Sequence, residues 1–166
     1  EALDLIGRET SGYQELLGTL AETVPEPLLS AIILGKYNRA QELRINFQLD
    51  PESRMIDIPE NINREKIVTI LGNLLENAIE AAQENSSGKR LVQLSMTDFG
   101  NDLIFEVEDS GSGIEYESID LSLQHGFTTK SGAGRGIGLS LVQENLKYLG
   151  GHLTVVRSSI GGMRFT

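Results

Sequence analysis

The chain has 166 residues, 39% of them hydrophobic, and no cysteine. One core closes at that length, and without thiols a disulfide framework, a zinc-thiolate site and a catalytic cysteine are excluded. A formal net charge of −10 and a pI near 4.6 leave no basic field for nucleic-acid phosphates, so no nucleic-acid partner is expected.

Leu3, Ile6, Tyr13, Leu16, Leu17 and Leu20 recur at helical spacing, and Pro25 and Pro27 interrupt the pattern before LLSAIILGKYNRAQEL resumes it. Two helices, or one kinked helix, are predicted over residues 2–43. The first has few partners within the chain, so its apolar stripe is expected to pair with another chain. RINFQLD, at 44–50, alternates as a strand does. Asn61 or Asn63 then caps a helix from about Arg64 to Gln83, with Ile67, Ile70, Leu71, Leu74, Ala78 and Ala82 as its core stripe. LVQLSMTD and LIFEVED flank FGN as a hairpin, and HLTVVRS and MRFT flank IGG as another. Neither hairpin leaves room for a crossover helix, which favours an α+β, two-layer α/β sandwich over a doubly wound parallel sheet.

Three stretches carry chemistry. In LGNLLENAIEAA, Asn73 and Asn77 stand four residues apart, on one stripe beside the core stripe. An unpaired buried amide costs about 1–3 kcal/mol, so the pair needs partners. Its side-chain carbonyls suit a hard cation such as Mg²⁺, which completes its shell with water and phosphate oxygens; exposure, or bonding to backbone, is the plainer alternative. In VEDSGSGI, strand parity sends Asp109 to the face of Leu103, Phe105 and Val107. A carboxylate there needs a donor, and the exocyclic amino group of adenine supplies one where guanine presents a carbonyl. Gly111 and Gly113 let the backbone turn tightly and approach a planar ring. In GFTTKSGAGRGIGLSLV, Gly132, Gly134, Gly136 and Gly138 lead into a helix whose N-terminus can face an anion, with Lys130 and Arg135 beside them. The 23 residues from Leu121 to Gln143 hold no Asp or Glu. Taken alone, this third stretch is explained more readily by a flexible glycine loop.

With these stretches in this order, the sequence resembles the ATP-binding domain of sensor histidine kinases, within the superfamily shared with gyrase B, MutL and the ATP-dependent heat-shock chaperones. NLLENA is similar to the N box, DSGSG to the first glycine box, GFTTK to the F box and GRGIGL to the second glycine box. PEPLLSAIILGKYNRAQELRI looks most like the citrate and C4-dicarboxylate sensing kinases. The resemblance implies a Bergerat-type sandwich, helices on one face of a mixed sheet, preceded by an N-terminal helix. Residues 1–23 would be the remnant of a dimerisation helix and 24–166 the ATP-binding catalytic domain.

The resemblance also implies roles. Asn77 would be the Mg²⁺ ligand with Asn73 assisting, and Asp109 would read adenine beside Gly111 and Gly113. Phe127, Thr128, Thr129 and Lys130 would belong to a lid, expected to be mobile without nucleotide. Gly134, Arg135, Gly136, Ile137, Gly138 and Leu139 would line the phosphates, and Asn73, Asn77 and Lys130 would act in catalysis. Gyrase and the chaperones carry a water-activating glutamate where this chain has Asn73. An amide cannot take that proton, so the chain looks built to hold ATP for transfer, although Glu76 and Glu80 lie close by. Neither His125 nor His152, the two histidines present, sits on an N-terminal helix beside an acid, so the acceptor is expected outside this segment. Met163 stands where many relatives carry a small or hydroxylated residue.

The implied protein is a two-component kinase that binds Mg-ATP, phosphorylates a histidine, homodimerises through its dimerisation helices and serves a response regulator. The alternatives are an ATPase of the gyrase or MutL type and a non-catalytic nucleotide-sensing module. The chain starts on Glu1 and stops on an apparent strand, which reads as a piece of a longer protein. No apolar run approaches the roughly 20 residues that span a bilayer, so this segment is expected to make no membrane contact, and the resemblance implies that it is the cytoplasmic part of an inner-membrane sensor.

Overall fold

A computed structural model describes residues 2–86, 88–113 and 137–166. The first helical stretch is divided: α1 spans Ala2–Thr23 and α2 spans Pro27–Glu42. Proline lacks an N–H and clashes with a preceding turn, so it opens a new helix more readily than it continues an old one. Pro27 starts α2, and Glu26 caps it by accepting the Leu28 N–H at 3.3 Å.

Strand β1 covers Asn46–Leu49, and α3 follows over Arg64–Glu84. Asn63 is its cap, taking the Lys66 N–H on Oδ1 at 3.1 Å. β2 (Leu91–Thr97) and β3 (Ile104–Asp109) form the first hairpin, turned at Gly100 with φ +83°. After α4 (Ile137–Leu149), β4 (Val155–Arg157) and β5 (Met163–Phe165) form the second. The lid expected within 115–135 lies outside the described residues.

The strands form one sheet in the order β1-β2-β3-β5-β4. All neighbours are antiparallel except β1 and β2, which run parallel with Asn46 opposite Leu91. A parallel neighbour demands a crossover, and α3 supplies it. Both predicted hairpins form without crossovers; β1 lies outside them and makes the sheet mixed.

Along β2, Val92, Leu94 and Met96 are buried while the residues between them are only half-buried. The open face is polar: Gln93 donates to Gln48 at 3.0 Å, and Arg164 meets Glu108 at 3.0 Å. The helices therefore cover one face. Every residue of the predicted α3 stripe is buried, and Leu75 and Ile79 are buried as well. α3 is sandwiched between the sheet and α2, which widens its apolar arc. The approach of α2 is close at Gly72, where a Cβ would lie 3.3 Å from Ile32 Cδ1.

The C-terminal half of α1 finds its partner inside the chain, contrary to the expectation of a second chain for that stretch. Leu16, Leu20 and Val24 join the main core, and the Tyr13 ring lies 6.4 Å from the Tyr37 ring of α2. The turn after α1 is tied in by the Met55 N–H, which donates to Thr23 O at 2.8 Å. Beyond β2, buried Asp98 takes the N–H groups of Ile56 and Asp57 on Oδ2 at 2.6 and 2.7 Å and meets Arg54 Nε at 2.9 Å. Burial pushes its carboxyl up, but the bonds from Asp57 and Ile56 and the Arg54 charge outweigh this and hold it below the usual carboxylate value.

Candidate functional site

Asn73 and Asn77 are half-buried on the flank of α3 that meets α4. Asn73 Nδ2 donates to Thr69 O one turn back at 2.7 Å, which fixes the direction of its Oδ1. A Cβ at Gly138, in the first turn of α4, would lie 3.1 Å from Asn73 Oδ1 and 3.6 Å from Asn77 Oδ1. Both amide oxygens thus converge on a helix start that carries no side chain there. α4 is held in this register by Lys66 of α3, whose Nζ reaches Asn145 Oδ1 at 3.3 Å and lies 4.1 Å from the centre of the Tyr148 ring. Asn145 in turn donates to Leu141 O at 2.7 Å.

Asp109 ends β3 and is 2% exposed, on the face shared with buried Val107, as strand parity requires. Its Oδ1 accepts the Gly111 N–H at 2.8 Å, and its Oδ2 accepts that of Met163 at 3.4 Å. The loop that follows folds onto α3: a Cβ at Gly111 would lie 2.9 Å from Ala81 Cβ, from Ala81 O and from Asp109 Oδ1. Gly113 has φ +75° and lies against Arg157 and Met163. Ala81 stands one turn, about 6 Å, beyond Asn77 on the same side of α3. The amide pair and the carboxylate therefore share one flank of the helix, within the reach of one nucleotide.

Leu139 is half-buried against the core, and Ile137 opens α4. Phe127, Thr128, Thr129, Lys130, Gly134, Arg135 and Gly136 lie outside the described residues, as does His125. His152 is exposed ahead of β4. Glu76, a candidate water activator, leaves the asparagine row and pairs with Lys36 of α2. Two further participants are the N–H of Met163, noted in the sequence only as a departure from its relatives, and Gly162, which the sequence did not single out and which encloses the Asp109 carboxylate. The glycine pair in GGMRF reads locally as a turn, and the strand order that brings it to Asp109 is not visible in the sequence.

The donor set suits a nucleotide: two carbonyl oxygens for a hard cation, a buried acceptor for an amino group, and a bare helix start. Among the described residues no three His, Asp or Glu side chains cluster as a metal site, so a cation here would rest on the amides and its own water or phosphate oxygens.

Residues 62–166 match the family model described as histidine kinase-, DNA gyrase B-, and HSP90-like ATPase. The sensor protein CitS of Halalkalibacterium halodurans is 39% identical over 99% of this chain, and CitS of Bacillus subtilis is 34% identical over 100%. The sensor histidine kinase DcuS of Escherichia coli is 35% identical over 92%. The chain spans 31%, 30% and 27% of those proteins, respectively, and so about a third or less of the curated relatives it matches. In structure it is similar to the catalytic domain of histidine kinase ThkA, with a TM-score of 0.68 at 24% identity, covering 83% of this chain and 86% of that one. The four motifs, the sandwich and the shared flank of α3 thus lead to one assignment: the chain belongs to the histidine kinase-, DNA gyrase B- and HSP90-like ATPase family.

Proposed function

We propose that the chain is the ATP-binding catalytic portion of a two-component sensor histidine kinase of the citrate or C4-dicarboxylate sensing kind. One observation carries the reading: the oxygens of Asn73 and Asn77 converge on the start of α4, and one turn further along α3 Ala81 meets the loop of Gly111, whose N–H is held by Asp109. Asp109 accepts the adenine amino group, and Gly111 and Gly113 let the backbone lie against the ring. Asn77 and Asn73 would hold Mg²⁺, which when bound would offset charge on the transferring phosphate. The phosphates are assigned to the glycines Gly134, Gly136 and Gly138, with Lys130, Arg135, Thr128 and Thr129 as further contacts.

The γ-phosphoryl group then passes in line to a histidine on a dimerisation hairpin, of whose second helix residues 1–23 are the remnant. The bond to the new nitrogen forms as the bond to the ADP oxygen breaks. The parent homodimerises through these helices, passes the phosphoryl group to a response regulator, and carries this portion on the cytoplasmic side of the membrane. Pairing of Glu76 with Lys36 weighs against the alternative of water activation and steady hydrolysis.

Calorimetry with ATP and GTP tests the reading. ATP should bind only with Mg²⁺ and at least roughly tenfold more tightly than GTP. Asn77→Ala should remove the Mg²⁺ dependence, and equal affinities for the two nucleotides would contradict the role of Asp109. Adding a histidine-bearing dimerisation hairpin in trans should give radiolabel on that histidine; no transfer would count against kinase activity.

A further inference from the structure

We infer that Gly162 is a positioning residue for adenine recognition, because its missing side chain is the space that holds the Asp109 carboxylate in register. The inference rests on the reading of Asp109 as the adenine acceptor.

Two adjacent glycines close the second hairpin for different reasons. Gly161 has φ +125°, where a side chain is strained, and its nearest neighbour would be 3.7 Å from an added Cβ. It serves the turn. Gly162 is not among the positive-φ glycines, so its backbone suits any residue, yet it is buried. A Cβ there would overlap Asp109 Oδ1 and lie 2.6 Å from Asp109 O and 2.7 Å from Gly111 N. Space, not conformation, therefore demands this glycine.

The surroundings decide which atoms could yield. Asp109 O is fixed by the Gly162 N–H at 3.0 Å, and Gly111 N is fixed by Asp109 Oδ1 at 2.8 Å. Of the three atoms only the carboxylate oxygen can swing about a side-chain bond; the two backbone atoms would have to shift as well, and a methyl group at position 162 would drive the carboxylate off the Gly111 N–H. Its oxygens would then leave the place where the amino group of adenine must meet them. Loss of a single hydrogen bond to a charged group changes affinity on the order of tenfold or more.

The test combines Gly162→Ala and Asp109→Ala, singly and together. Thermal unfolding is measured without nucleotide, and calorimetry is run with Mg-ATP and with Mg-inosine triphosphate, in which an oxo group replaces the amino group. Gly162→Ala should lower the ATP-to-inosine triphosphate affinity ratio by on the order of tenfold. The same change in the Asp109→Ala background should leave the ratio alone and lower Tm by less. A folded Gly162→Ala chain that keeps the native ratio would overturn the inference. Should that variant not fold, recovery of folding in the Asp109→Ala background supports it. Failure to fold in both backgrounds overturns it, since the backbone contacts alone would then require glycine. An unchanged ratio in Asp109→Ala alone would instead remove the adenine reading itself, and the two failures are thereby told apart.

Discussion

Two buried aspartates follow neighbouring strands, and their surroundings differ in kind. Asp98, just beyond β2, is met by the Arg54 guanidinium at 2.9 Å and by two backbone N–H groups. Asp109, at the end of β3, is held by the N–H groups of Gly111 and Met163, and its walls at Gly111 and Gly162 have no side chains. The first carboxylate is answered by a side chain that also lies 5.6 Å from the centre of the Phe99 ring, and its bonds tie a loop to the sheet. The second accepts from backbone N–H groups and lies against two glycines. The same residue type buried to a similar degree is thus a fastener in one place and, in the other, is proposed to read a ligand.

The contrast breaks most visibly through folding. Asp98→Ala removes one of the two carboxylates that Arg54 meets, leaving Asp57, and strands two N–H groups, and should lower stability by roughly 2–4 kcal/mol in urea unfolding while changing ATP affinity less than about threefold. Asp109→Asn should do the reverse, lowering ATP affinity roughly thirtyfold by calorimetry while shifting stability by less than about 1 kcal/mol. If both variants lose stability equally, the distinction between them fails.

Acid sharpens the comparison further. The carboxyl of Asp98 is held below its ordinary value in the folded chain, so the folded state binds fewer protons than the unfolded one. Its contribution is fully present above the unfolded value of about 3.9 and is lost as pH falls through the lower, folded value. Urea unfolding below about pH 4 should show stability falling with acid, and Asp98→Asn should flatten that slope. The smallest effect is expected from Phe99→Ala, which removes the ring beside Arg54 and should cost about 0.5–1 kcal/mol.

What could be read from the sequence was local. Asn63 announces α3 because an N-cap acts within three residues, and the period-two pattern around FGN sets the first hairpin. Strand parity alone placed Asp109 on the core face. Features that depend on distant chain were hidden. Leu75 and Ile79 are buried because α2 covers a second side of α3, and no periodicity in one helix reports its neighbours. The parallel pairing of β1 with β2 joins Asn46 to Leu91 across the whole of α3. Asp98 and Gly162 looked like ordinary turn residues, because their partners, Arg54 and Asp109, lie in other elements. In the candidate site, helix spacing put the asparagines on one stripe, but only the packing of α4 shows both oxygens aimed at Gly138.

The parallel pairing of β1 and β2 bears on how the cleft can work. α3 is threaded between two adjacent strands, so sliding it along its axis would strain the ladder at one end or the other. The asparagines consequently ride on a fixed jaw. Any change in the distance from the asparagines to Gly138 would therefore have to come from α4, which Lys66 holds at the far end through Asn145 and Tyr148.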